Sequence, residues 1–171
     1  GMAQFVVVEE EFLLPTPEGL SMEKAALTEP LSVAEHCVGN RTSIKENDRV
    51  VVSGPGIIGI LCAISARSRG AEVLVVGTEK DEQVRLSAAG ELGFRTLIVG
   101  QSHLPLHEQV EKQFPGGADA LIEASGSPFA LGDSWRSVRP DGVVTAVALY
   151  ARAIELDLTQ FLRKQIDLRT S

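Results

Sequence analysis

The 171-residue chain is poor in cysteine, with only Cys37 and Cys62, far apart and each set in an apolar helical pattern. It contains no Cys-x-x-Cys pair and no His-Glu-x-x-His, so its own residues display no metal motif. Two buried free thiols suit a reducing cytoplasm. No signal peptide opens the chain, and no apolar run reaches the ~18 residues of a membrane span. Together these absences predict a cytoplasmic protein without a membrane partner. Basic charge is scarce as well: 16 Lys and Arg stand against 23 Asp and Glu, for a net charge of −7. A surface of that sign repels nucleic acid and anionic lipid. The acidic run Glu9, Glu10 and Glu11 reads as a solvated face rather than a binding tail. Internal repeats and low-complexity segments are absent.

What is present is ordinary for a globular protein: 44% hydrophobic and 23% charged residues, in a length that supports one domain with a good core. Gly1 before Met2 reads as the scar of tag cleavage, and the chain as a piece of a longer protein. Weak alternation predicts a strand over 3–9, followed by a proline-containing connector. Ser21 is placed to cap a helix over 22–39, bent or restarted at Pro30. Beyond a polar turn the chain alternates. Strands are expected over 49–53, 72–76, 96–99, 119–124, 142–147 and 166–168. Helices are expected over 56–69, 81–92, 106–113, 128–138 and 158–163. The strands are short and continuously apolar, as strands buried on both faces are. The pattern predicts an α/β Rossmann fold: a doubly wound parallel sheet of order 3-2-1-4-5-6.

The first strand runs into Gly54, Gly56 and Gly59, spaced as GxGxxG between a strand and a helix. In that context each glycine has its own reason. Gly54 allows the tight turn, Gly56 lets a pyrophosphate approach the backbone, and Gly59 lets helix and strand pack closely. The helix N-terminus then faces the phosphates with free amides and a positive dipole end. Ser53, Pro55, Ile57 and Ile58 complete this candidate cofactor loop. The plainer alternative is a glycine turn that only packs well.

The second strand ends at Gly77 and Thr78. In this fold a carboxylate about 20 residues past the glycines takes the ribose 2′-hydroxyl and selects NAD. Thr78 is not acidic, and two readings stay open. Glu79 could serve as that carboxylate, giving NAD. Thr78 and Lys80, with Arg85, could instead hold a 2′-phosphate, giving NADP. The neighbouring acids would repel a phosphate and favour NAD. Asp81 and Glu82 read as the solvated first turn of the next helix.

Two further strand ends point into the same crevice. The fourth leaves Glu123, Ser125 and Gly126 there, and the fifth leaves Val147, Ala148 and Leu149. Small residues and exposed backbone groups suit a flat nicotinamide ring. Simple strand-to-loop geometry is the alternative.

The stretch "FVVVEEEFLLPTPEGLSMEKAALTEPLSVAEHCV", then "DRVVVSGPGIIGILCAISARSRGAEVLVVG" and "ALIEASG", resembles the medium-chain dehydrogenase/reductase superfamily, in particular its zinc-dependent sorbitol and threonine dehydrogenase branch. The resemblance spans nearly the whole chain. It implies that residues 1–20 are a tag residue and the tail of a missing catalytic domain. Residues 21–171 would be a dinucleotide-binding Rossmann domain truncated in its last strand. It also implies that Glu29, in "TEPLSVAEH", lies at or near a catalytic zinc of the parent; a solvent-facing helix carboxylate is the bland alternative. His36 reads as a packing or capping residue, and His103 and His107 as surface residues. The family's other zinc ligands are missing from this sequence, so zinc is expected in the parent only.

The parent is therefore expected to pass hydride between a secondary alcohol or polyol and a nicotinamide dinucleotide, and to pair as a homodimer. This chain alone is expected to bind the cofactor without catalysis. A non-catalytic dinucleotide-binding or regulatory module is the alternative. A short-chain reductase is excluded: the one tyrosine, Tyr150, is followed four positions on by Ile154 rather than lysine. A methyltransferase would want an acid near the end of the second strand and lacks the "EPLSVAEH" segment.

Overall fold

The computed structural model describes residues 3–171. The strands are β1 (Arg49–Ser53), β2 (Glu72–Thr78), β3 (Arg95–Val99), β4 (Ala118–Glu123), β5 (Val138–Ala146) and β6 (Asp167–Thr170). They form one sheet in the order β3-β2-β1-β4-β5-β6, and every pairing is parallel. This is the expected doubly wound topology. The helices are α1 (Met22–Ala25), α2 (Thr28–Glu35), α3 (Ile57–Ser68), α4 (Ser87–Glu91), α5 (Leu106–Gln113), α6 (Pro128–Gly132) and α7 (Leu158–Lys164).

The continuous apolar strands are explained by a core on each side of the sheet. Successive strand side chains point to opposite faces. Val50, Val52, Val73, Val75, Ala120 and Ile122 face one layer with Ala34, Leu61, Cys62, Ala66 and Ala89, which come from α2, α3 and α4. Val51, Leu74, Val76, Leu121 and Val144 face the other, with Val110, Leu131 and Phe161 from α5, α6 and α7. Each fully buried valine contributes about 1.5–3 kcal/mol by leaving water.

Several boundaries differ from the sequence expectation. Residues 3–9 form no strand. The whole stretch 3–20 is exposed, with a single 3-10 turn at Glu10–Phe12. A strand needs a neighbour to pair with, and none among the described residues lies beside it. The expected helix 22–39 divides at Ala26 and Leu27. Ser21 caps the first part by accepting from the Lys24 N–H at 3.4 Å. Pro30 then falls in the first turn of α2, where its absent N–H forfeits no helical bond. The helix continues past Gly39 through a π-helical turn, His36–Thr42, closed by a hydrogen bond of 2.7 Å from the Thr42 hydroxyl to the Cys37 carbonyl.

The expected helix 81–92 becomes a 3-10 turn, a π-helical turn (Glu82–Leu86) and α4. The expected helix 128–138 stops at Gly132, where the Ser134 hydroxyl donates to the Leu131 carbonyl at 2.7 Å. After a 3-10 turn the chain enters β5 at Val138, earlier than expected, because an irregular register between Ala118 and Ala120 absorbs residues 139–142.

Candidate functional site

The site lies beyond the carboxyl ends of β1, β2 and β4, where the strand order reverses and ligands bind in such sheets. Here a cleft of about 520 Å³ is lined by Ser53, Gly54, Pro55, Gly56, Gly77, Thr78, Asp81, Arg85 and Ser125, with Val99, Leu106 and Phe129 among its apolar walls. Such a volume is in the ordinary range for small-molecule sites.

The glycine loop forms its floor. Gly54 has φ +102°, a backbone angle that side chains disfavour, and a Cβ there would stand 2.6 Å from the Ser125 backbone nitrogen. A Cβ on Gly59 would stand 1.9 Å from the Gly54 carbonyl oxygen, so the helix packs on the loop only without one. Gly56 is different: nothing lies within 4 Å of its Cβ position, and the space opens to the cleft. Gly56 also precedes α3 without any side-chain cap. The first amides of a helix have no partner inside the helix, so those of this 12-residue helix are available to an anion. Open backbone, uncapped amides and a cleft at the switch point fit a pyrophosphate. Ile57 is 57% exposed, while Ile58 packs partly against the core and Gly59 is buried; all three lie outside the cleft lining.

At the end of β2, Thr78 faces the cleft, while Glu79 and Lys80 are exposed and outside its lining. The carboxylate brought to the cleft at the end of β2 is Asp81, which reads in the sequence as part of a solvated turn; Asp133 lines the cleft elsewhere. Its Oδ2 accepts from the Thr78 N–H at 3.0 Å and from the Thr78 hydroxyl at 2.8 Å. Its Oδ1 accepts from Arg85 at 3.0 Å. Burial would raise this carboxyl, but the Thr78 donors and the Arg85 guanidinium outweigh it and hold the group below the usual range. The signal was the Thr-x-x-Asp spacing of a capping box.

At the other end, Glu123 is completely buried at the tip of β4. Its carboxylate accepts from the Ser125 N–H at 2.9 Å, the Gly126 N–H at 3.3 Å, and the hydroxyls of Ser125 and Tyr150. Burial, together with that carboxylate, raises the Tyr150 phenol and keeps it protonated. Ser125 lines the cleft, whereas Gly126, Val147, Ala148 and Leu149 are not part of its lining, and Leu149 is 97% exposed.

Glu29 is an exposed residue in the first turn of α2. Among the described residues no group of three or more His, Cys, Asp or Glu side chains could hold a metal ion. A zinc site needs three or four ligands, so the described residues do not by themselves fit one. His36 and His103 are exposed. His107, expected on the surface, is half-buried in α5 with its Nδ1 enclosed and unpartnered. Among the described residues no helix is long and apolar enough to cross a membrane.

A sorbitol dehydrogenase of Halalkalibacterium halodurans is 36% identical over 168 residues, covering 97% of this chain and 48% of that protein. A D-arabitol-phosphate dehydrogenase of Enterococcus avium is 32% identical, covering 97% of this chain and 47% of that protein. The crystal structure of 2R,3R-butanediol dehydrogenase from Bacillus subtilis superposes with a TM-score of 0.86 at 26% identity, covering 96% of this chain and 46% of that chain. The chain thus spans about half the length of the relatives it matches. Residues 58–171 match the zinc-binding dehydrogenase family. The resemblance read from the sequence holds: this chain belongs to the zinc-binding dehydrogenases.

Proposed function

We propose that this chain is the nicotinamide-dinucleotide-binding domain of an alcohol or polyol dehydrogenase. The observation that carries the reading is the uncapped N-terminus of α3 behind Gly56, where the backbone is open to the cleft. The loop Ser53–Gly59 would hold the pyrophosphate. Thr78 and Asp81 would meet the adenosine ribose, with Glu79 and Lys80 beside them. Ser125, Gly126 and the segment Val147, Ala148 and Leu149 would take the nicotinamide half. When bound, the cofactor supplies a hydride acceptor, and the chain's own task is to hold and orient it. NAD is the preferred dinucleotide, because the cleft presents the Asp81 carboxylate and already neutralises Arg85 with it.

In this reading residues 1–20 belong to a catalytic domain, 21–171 are the cofactor domain, and this chain alone does not catalyse. The longer protein transfers hydride between a secondary alcohol and the nicotinamide, in the cytoplasm, with a zinc whose other ligands lie outside this chain and which Glu29 would adjoin. A homodimer through the edge strand β6 completes the proposal. Leu168 there is 38% exposed, and β6 pairs only with β5 among the described residues. Size-exclusion chromatography with light scattering showing only monomer removes the dimer.

The function itself is tested by calorimetric titration with NAD⁺, NADH, NADP⁺ and NADPH. Binding of the NAD pair with the NADP pair much weaker supports the reading in full. The reverse preference reassigns Thr78 and Arg85 to a 2′-phosphate. No binding by any of the four removes the reading for this chain.

A further inference from the structure

A lone carboxylate with no exposure, such as Glu123 at the tip of β4, would be strongly disfavoured by loss of hydration. It is stable there because four donors surround it, and those donors come from two different loops. Ser125 and Gly126 belong to the loop that leaves β4, and Tyr150 to the loop that leaves β5. The backbone of the same residue adds to the tie. The Glu123 carbonyl accepts from the Val147 N–H at 3.0 Å and the Ala148 N–H at 3.3 Å.

The dinucleotide loop is joined to this cluster. The Ala124 N–H donates to the Ser53 carbonyl at 2.8 Å. The Ser125 backbone presses on Gly54, as the forbidden Cβ shows. Gly126 packs under the Leu149 carbonyl oxygen, which lies 2.9 Å from its Cβ position. One buried residue therefore sets the distance between all the segments assigned to the nicotinamide half, and it does so without reaching the cleft.

We propose that Glu123 is a positioning residue for the nicotinamide end of the bound dinucleotide, with Tyr150 as the clasp that joins the β5 loop to it. This rests on the reading that the cleft holds a nicotinamide dinucleotide. The Glu123 carboxylate ties the Ser125–Gly126 loop to Tyr150, the residue that follows Leu149, and its backbone carbonyl holds Val147 and Ala148, so the two loops keep a fixed separation. A residue that merely stabilised the fold would affect every part of the cofactor alike. A positioning residue affects only the part its loops enclose.

The test uses calorimetry of the intact chain with two ligands, NADH and ADP-ribose, the second lacking the nicotinamide ring. The variants are Glu123→Gln and Tyr150→Phe, each checked for folding by thermal melting. Tyr150→Phe removes a single oxygen and keeps the ring, so it remains informative if Glu123→Gln fails to fold. The expected result is an NADH dissociation constant raised about tenfold, with that for ADP-ribose changed less than about twofold. Equal weakening of both ligands, or no change in either, overturns the proposal. So does an unmodified chain that binds ADP-ribose and NADH equally well, which leaves the cleft reading standing. An unmodified chain that binds neither removes the cleft reading and this proposal together.

Discussion

Gly59 stands directly behind the carbonyl of Gly54: a methyl group on Gly59 would come within 1.9 Å of that oxygen. This contact ties the first turn of α3 to the turn leaving β1. The Gly59→Ala variant is expected to lose on the order of 3 kcal/mol of stability or more, since backbone rather than a flexible side chain must move. Chemical denaturation measures it. Gly56→Ala, where the Cβ position is open, is expected to melt near the unmodified chain and to lose dinucleotide affinity.

Removal of the Asp81 carboxylate frees both Thr78 and Arg85. Asp81→Ala is expected to weaken NAD⁺ about tenfold, or ~1.4 kcal/mol, and to strengthen NADP⁺. The released guanidinium can then meet a 2′-phosphate. The ratio of the two dissociation constants reads the effect. An unchanged ratio means that Asp81 only caps its turn.

Asp119, at the opposite end of the sheet, joins three strands. It accepts from the Arg49 N–H at 2.7 Å, the Arg49 guanidinium at 3.2 Å and the Arg139 guanidinium at 2.6 Å. Burial alone would raise its carboxyl, but the two arginines hold it below the usual range. A carboxylate lowered in the folded state stabilises the fold above its unfolded value of about 3.9 and loses that contribution as the pH falls through the folded value. Asp119→Asn is expected to cost about 1–2 kcal/mol near neutrality, given partly solvated partners. Its deficit against the unmodified chain should shrink below about pH 4. Denaturation curves across pH measure both.

Cys37 and Cys62 are free thiols with no solvent exposure. A thiol reagent is expected to modify neither in the native chain and both after unfolding. Modification at the native rate of an exposed thiol would contradict their burial.

The topology was legible because the strands announce themselves: Val50, Val51 and Val52 are apolar on both faces, and helical patterns separate them from the next strand. The glycine loop was legible for the same local reason. Asp81 was missed because an acid in a first turn reads as a solvated cap, and only the Thr78 hydrogen bonds turn it toward the cleft. The tie between Glu123 and Tyr150 joins residues 27 apart in sequence through a sheet pairing that no local pattern encodes. Residues 3–9 show the reverse failure. Their valines satisfy the strand pattern, but a strand is a relationship, and no partner among the described residues supplies one.

The two-faced burial of the sheet carries one more consequence. In a half-exposed sheet, a strand that slips by one residue turns its apolar side to water, so the hydrophobic pattern itself enforces alignment. In β1 it does not, because Val50, Val51 and Val52 are interchangeable between the layers. Alignment must be enforced by polar groups at the two ends. At one end is the Arg49 N–H on Asp119. At the other are the Gly54 N–H on the Val76 carbonyl and the Ala124 N–H on the Ser53 carbonyl, each at 2.8 Å. The second set also frames the cleft. A slipped β1 would still bury valine at two of its three core positions but would carry Ser53 or Arg49 into the third and break the site, so proofreading of the fold and construction of the site fall to the same few atoms.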